Sequence, residues 1–340
     1  MITYGDDRLR ALAEDGRWSE LLAAYRLGRA AASAEAGEEA AAALTAPLGH
    51  LIAYAAPPEL AVRLFDRDGG AGTAAGVDDH DAGPLWEVLA TRHSWLRLAP
   101  LLGPGPVRRL VAHTRALLGE DLPFGAEPDP EGVPMRLEPW EAAGWEEAGR
   151  VREYLPGGGA RSALLTLPAS REGLGEVELP PVAPSVGRPD GPRVVRALTG
   201  LGELAPWAAT ACVRGQAPAA AALLARDRRV VGGYLPFTLV YPALVRSAAV
   251  GRAQGSAHGR LGLWRALAAM AGADGGPDGP ESPEGPVGVG GVERGEVNAL
   301  VARMRCFTWQ EPSAGLHHLH VALEDPASGV AWVLSGSQEL

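Results

Sequence analysis

The chain has 340 residues, enough for one large domain or two ordinary ones, and 46% of them are hydrophobic and 21% charged. This composition is typical of a folded globular protein. All 31 basic residues are arginine, and the absence of lysine excludes P-loop nucleotide hydrolases, protein kinases, pyridoxal enzymes and Schiff-base aldolases, whose chemistry uses a lysine amine. The two cysteines, Cys212 and Cys306, have no metal-ligand spacing, and residues 1–10 contain no apolar signal segment. We therefore expect a cytoplasmic protein without a cofactor.

The net charge of −10 is concentrated in one stretch. Between Glu120 and Glu147 there are nine acidic residues and a single arginine. A nucleic-acid-binding protein would carry a basic stripe instead, so we expect no nucleic-acid partner. The stretch is interpreted either as a solvated surface connection or as a docking site for a basic protein partner. In the second case the contacting residues would be Glu138, Glu141, Glu146 and Glu147.

The first part of the chain predicts a helical domain over residues 1–119. Apolar residues recur at helical spacing from Trp18 onward, and Thr45 with Pro47 is a plausible start of a further helix. Helical patterns over 86–102 and 107–118 flank a Gly-Pro-Gly-Pro turn, as in a pair of antiparallel helices.

The middle of the chain changes character. Residues 120–191 predict an acidic connection rich in proline and glycine, with a strand at 162–167 and a second candidate at 177–179. Helical patterns resume over 192–271, including 207–213.

The last part of the chain is the best defined. Residues 272–291 predict a flexible linker, because they combine glycine, proline and acids with little apolar content. Residues 292–340 predict a helix followed by an antiparallel meander of three strands, at 305–310, 316–323 and 330–335. The predicted fold is therefore mostly α, with short amphipathic helix pairs arranged in a bundle or repeat. A small antiparallel β-meander follows at the C-terminus, so the fold class is α+β overall. No apolar run reaches the ~20 residues that a membrane-spanning helix needs, so we expect no membrane partner.

The one histidine cluster lies on the second predicted meander strand. Alternation along a strand places His318, His320 and Glu324 on one face and His317 on the other. Two histidines and a carboxylate could bind zinc or another divalent metal. The alternative is an ordinary amphipathic strand whose polar face is solvated.

Two other motifs favour structural interpretations. The G-x-G-x-x-A pattern of residues 200–205 follows a helical rather than a strand pattern, which argues against a dinucleotide site. Ser256 and His258 lack the spacing of a nucleophile elbow, and we interpret them as a loop before a helix that starts near Arg260.

Three segments together resemble a known group of sequences. They are Pro134–Glu141, Gly259–Leu267 and Leu319–Trp332. Through these segments, the chain beyond about residue 80 resembles a family of uncharacterised actinomycete proteins that is classed as a domain of unknown function. The resemblance implies a common fold and no particular activity.

Two hypotheses of function follow. The first is a non-catalytic protein-interaction or scaffold protein, because the sequence contains no complete catalytic constellation. The alternative is a metal-assisted hydrolase that uses His318, His320 and Glu324.

Overall fold

The computed structural model describes most of the chain, in nine stretches: 7–66, 84–122, 128–145, 149–161, 165–182, 191–248, 255–272, 293–312 and 317–338. Contacts divide the chain into two compact units. The first comprises Met1–Glu127, Ala148–Ser162 and Ala249–His258, and the second comprises Pro128–Glu147, Ala163–Ala248 and Gly259–Leu340. The domain boundaries expected from the sequence stay predictions, and the predicted linker lies, apart from Gly272, outside the described residues.

The first unit is helical. Its helices are α1 (Asp7–Glu14), α2 (Trp18–Ala36), α3 (Glu38–Ala55), α4 (Pro58–Ala61), which continues as a 3₁₀ turn (Val62–Phe65), α5 (Leu85–Arg92), α6 (Trp95–Leu98) and α7 (Pro106–Leu117). Helix α2 packs on α3, α3 on α5, and α5 on α7. A short hairpin, β1 (Glu153–Tyr154) with β2 (Ala160–Arg161), also belongs to this unit.

Two predicted helix boundaries in the first unit are wrong. Helix α3 starts at Glu38, with Pro47 inside it, and Thr45 donates a hydrogen bond to the Ala41 carbonyl at 2.8 Å rather than capping the helix. The predicted helix at 86–102 is broken into α5 and α6, because His93 and Ser94 adopt extended backbone angles between them.

The second unit combines a sheet with helices. The helices are α8 (Pro139–Ala142), α9 (Pro192–Leu204), α10 (Ala217–Ala221), α11 (Phe237–Ser247), α12 (Ser256–Ala271, whose first three residues are grouped with the first unit) and α13 (Arg294–Arg303). The strands are β3 (Gly175–Glu178), β4 (Ala209–Arg214), β5 (Arg229–Leu235), β6 (Arg305–Trp309), β7 (His317–Asp325) and β8 (Val330–Gln338). They form one antiparallel sheet in the order β3-β5-β6-β7-β8-β4.

The predicted fold class is confirmed: of the residues that the structure describes, 51% are helical and 17% lie in strands, with a six-stranded antiparallel sheet in the C-terminal part. The predicted meander is its central portion, β6-β7-β8. The predicted helix at 207–213 is wrong, since residues 209–214 form the edge strand β4 and pair with β8. Strand β5, which the sequence did not predict, pairs on the other side of the meander.

Small side chains position α10 against one face of the sheet. Ala217, Ala220 and Ala221 are fully buried in a cluster with Ala322 and Val333 of β7 and β8. Alanine on both surfaces allows the helix to approach the sheet closely. Strand β7 therefore has a neighbour on each side and a helix over one face.

Candidate functional site

The histidine face of β7 is largely buried, with His318 half-buried and His320 buried. His318 and His320 share a face, and their rings stack with centroids 5.7 Å apart. The Nε2 atom of His318 donates to the Pro168 carbonyl at 3.1 Å. His320 is only 3% exposed, and its Nδ1 atom shares a hydrogen bond of 2.9 Å with Ser335 Oγ. The solvated-face interpretation is therefore wrong for His320 and Glu324, which are buried, while His318 is half-buried.

The third predicted metal ligand is held elsewhere. Glu324 lies four residues beyond His320, about 13 Å along the strand. Its Oε2 accepts the Ala217 amide at 2.9 Å, and its Oε1 lies 3.8 Å from Nη1 of Arg305. Over the described ranges, no group of three His, Cys, Asp or Glu side chains is arranged to hold a metal ion. The geometry therefore gives the three-ligand hypothesis no support.

Two buried histidines should make stability depend on pH. Burial, and secondarily the charge of His318, lowers the pKa of His317 and of His320 from 6.5 to about 4. Between those pH values the unfolded chain binds more protons, so the free energy of unfolding should fall as pH drops from 6.5 towards 4. We expect His320→Gln to reduce this slope by up to about 1.4 kcal/mol per pH unit, measured by urea unfolding across the window.

Ser335→Ala is the matched control for this measurement, since it removes the hydrogen bond to His320 but leaves the imidazole in place. Its slope should stay close to that of the unmodified chain. Equal slopes for His320→Gln and the unmodified chain would contradict the assignment of His320 as a buried neutral base.

Two of the four predicted partner-binding acids lie inside the second unit. Glu138 and Glu141 are 3% and 0% exposed. Glu138 caps the start of the short helix α8, and Glu141 lies within it. In this capping box the carboxylate of each residue accepts the backbone amide of the other, and Pro139 occupies the first turn. A basic partner does not reach buried carboxylates, so the docking interpretation is wrong for these two. Glu146 and Glu147 lie outside the described residues.

Glu141 is the centre of what we name the buried carboxylate cluster: Glu138, Glu141, Tyr241, Arg260, Trp264 and Asn298. One oxygen of Glu141, Oε1, accepts hydrogen bonds from Tyr241 Oη at 2.8 Å, Arg260 Nε at 2.7 Å and Trp264 Nε1 at 2.9 Å. The other, Oε2, accepts Arg260 Nη2 and the Glu138 amide, each at 2.9 Å. Asn298 joins the cluster by donating to Glu138 Oε2 at 3.2 Å.

Glu141 and Arg260, at the centre of the cluster, are both ionised at neutral pH. Burial alone would raise the pKa of Glu141, but the Arg260 charge and the donated hydrogen bonds outweigh it and hold that pKa below 4.5. Burial and the neighbouring Glu141 charge raise the pKa of Tyr241 well above 10, so the phenol stays protonated. A carboxylate that accepts five hydrogen bonds has no lone pair directed at solvent, and the cluster therefore fixes α8, α11 and α12 rather than exchanging protons.

The remaining sequence motifs have structural roles. Residues 200–204 continue helix α9, whereas a dinucleotide site needs a turn between strand and helix there. Helix α12 starts at Ser256, four residues earlier than predicted. Its first amide, that of Ser256, donates to Oε2 of the buried Glu87 at 2.8 Å. A Cβ atom on Gly255 would lie 1.8 Å from that same oxygen, which explains the glycine.

A depression on the first unit was missed by the sequence reasoning. It encloses about 520 Å³ and is lined by the 3₁₀ turn that follows α4 with Asp66 next to it, by the loop between α6 and α7, and by the start of α7. We name it the proline groove; its lining is Val62, Phe65, Asp66, Leu101, Leu102, Gly103–Pro106, Val107 and Arg108. The only sequence signal was the Gly-Pro-Gly-Pro segment, which predicted no more than a turn.

The two charged side chains of the groove lining, Asp66 and Arg108, are held in place by contacts within the first unit. Arg26 Nη2 lies 3.2 Å and Arg63 Nε 3.6 Å from Oδ2 of Asp66. Arg108 Nη1 donates to the Leu102 carbonyl at 2.8 Å and also to that of Ala99. The groove is thus an apolar surface bordered by fixed charges.

No family model, curated protein or solved structure matches this chain. The resemblance to the actinomycete family stays a prediction. None of the helices in the described stretches has the length and hydrophobicity needed to cross a membrane.

Proposed function

We propose that this protein is a non-catalytic interaction protein, and that it binds an apolar segment of another protein in the proline groove. The observation that carries the proposal is the composition of the groove wall. Among its lining residues, Asp66 and Arg108 have the ionisable side chains, and both are held in internal hydrogen bonds or ion pairs. Such a wall offers binding surface rather than a nucleophile with its base.

The size of the groove fits a peptide segment. A volume of about 520 Å³ lies within the range of sites that take small ligands or a few side chains. Phe65, Leu101 and Val107 are half-buried, so an occupant would remove the rest of their apolar surface from water at roughly 25 cal/mol per Å². Gly103–Pro106 are exposed along the rim, and neither proline has an amide hydrogen that binding would desolvate.

The buried polar groups of the second unit also favour a binding function over a catalytic one. The buried carboxylate cluster is closed by its own hydrogen bonds, and the three candidate metal ligands of β7 do not converge. A basic partner at Glu146 and Glu147 remains a separate prediction.

Site-directed photo-cross-linking tests the proposal. We expect a benzoyl-phenylalanine placed at Phe65, which keeps the phenyl ring and adds a photo-reactive benzoyl group to it, to form one discrete adduct with another protein in an extract of the source cells. Leu101→Asp should abolish that adduct, because it places a charge on the apolar wall.

Leu27 of α2 supplies the control position, since it is 71% exposed and does not line the groove. The same photo-reactive residue at Leu27 should not form that adduct. Cross-links confined to the chain itself, or the same products from both positions, would refute the proposal.

A further inference from the structure

Arg108 is held at the wall of the proline groove by three contacts within the first unit. Its Nη1 atom donates to two carbonyls, those of Ala99 and Leu102, where the chain leaves α6. Its guanidinium carbon lies 5.2 Å from the centroid of the Trp95 ring, within the range of a cation–π contact. These contacts remove most of the side-chain entropy that binding would otherwise cost.

The part of the guanidinium that remains can bind a ligand. Both hydrogen bonds that Arg108 makes to the described residues use Nη1, which leaves Nη2 and Nε as donors. Arginine presents such donors in a planar fork that matches a carboxylate. The arginine is therefore preorganised beside an apolar wall.

The charges around the groove favour an anion. Asp66 is the acidic residue of the lining, and two arginines, Arg26 and Arg63, lie within 4 Å of it. Together with Arg108 these groups sum to a positive charge, although the whole chain carries −10. A basic ligand would therefore meet Arg108 at the wall, while the carboxylate of Asp66 is already paired with Arg26 and Arg63, whereas an acidic ligand meets complementary charge.

We infer that the segment bound in the proline groove carries an aspartate or glutamate beside its apolar residues, and that Arg108 pairs with this carboxylate. This inference rests on the proposed function and specifies the chemistry of the partner. Since Arg108 Nη1 is bonded to the Leu102 carbonyl within the groove lining, the acid would lie next to an apolar side chain of the ligand.

Selection from a phage-displayed library of random dodecapeptides on the full-length protein tests the inference. We expect the selected peptides to contain an acidic residue next to an apolar one. In a synthetic copy of the best peptide, replacing the acidic residue with its amide, Glu with Gln or Asp with Asn, should weaken binding at least about tenfold, because a charge-assisted hydrogen bond is lost. This comparison uses the unmodified protein and does not depend on how any variant folds.

Variants of the protein locate the contact. Arg108→Gln should lose the preference for the acidic peptide over its amide copy. Arg161→Gln should keep that preference. This substitution removes the same charge, but Arg161 is an exposed residue of β2 that does not line the groove. The inference would be refuted if the selected peptides contained no acidic residue. It would also be refuted if Arg108→Gln preferred the acidic peptide over its amide copy as strongly as the unmodified protein does. Selected peptides that bind Leu101→Asp as tightly as the unmodified chain would refute the proposed function instead.

Discussion

Replacing Glu141 with glutamine should lower the free energy of unfolding by about 3–5 kcal/mol, one of the largest effects that a single substitution can have here. The substitution leaves Arg260, which is fully buried, without its counter-charge. It also brings an amide donor to a place where Tyr241, Arg260 and Trp264 all donate. Urea unfolding at pH 7, followed by circular dichroism, measures the loss.

The surface pair of Glu178 and Arg228 gives the matched comparison. Their side chains are 60% and 58% exposed, with 3.2 Å between Oε1 and Nη2. Glu178→Gln should therefore cost less than about 1 kcal/mol. Adding Arg260→Met to Glu141→Gln should recover part of the loss, because an apolar side chain needs no counter-charge. A cost below about 1 kcal/mol for Glu141→Gln alone would contradict the ionised, closed cluster.

Local patterns predicted the parts of the fold whose periodicity was unambiguous. The strands of the meander β6-β7-β8 and helices α7 and α9 all begin within two residues of the predicted starts. Each combines a regular apolar spacing with a turn segment or a proline at its boundary. In such segments local preference and tertiary packing agree.

The edges of the sheet could not be predicted from local patterns. Residues 209–214 are alanine-rich enough to resemble a helix, and they form a strand because β8 supplies hydrogen bonds from more than a hundred residues away. Strand β5 contains Gly232 and Gly233, which lower strand preference. A Cβ atom on Gly232 would lie 2.8 Å from the Phe307 ring, so the sheet itself requires that glycine.

The candidate sites were mislocated for a related reason. A run of acids indicates a solvated surface, and nothing local to Glu141 shows that Arg260, 119 residues away, reaches it. The Glu-Pro-Trp-Glu segment did contain a signal, because glutamates three residues apart around a proline fit a capping box at a helix start. The groove has no comparable signal, since its walls come from two segments, 62–66 and 101–108, that are far apart in the sequence.

Gly259→Ala should lower the free energy of unfolding by about 3 kcal/mol or more, through overpacking and through damage to the buried carboxylate cluster. Gly259 lies on α12 where this helix crosses α11. A Cβ atom there would lie 2.1 Å from the Val245 carbonyl oxygen and 3.0 Å from its carbon. These are backbone atoms, which cannot rotate away, so the two helices would have to separate. Tyr241 lies on α11 and Arg260 on α12, and their separation would lengthen hydrogen bonds to Glu141.

Gly262→Ala, one turn further along the same helix, should have the opposite sign. The nearest atom to its added Cβ is Cδ1 of Leu204, at an ordinary contact distance of 3.6 Å. Alanine is favoured over glycine within a helix by about 0.5–1 kcal/mol, so this substitution should stabilise the protein. Urea unfolding of both variants compares the two glycines directly. The sequence alone treats them alike, and losses of equal size would contradict the close approach of α11 and α12 at Gly259.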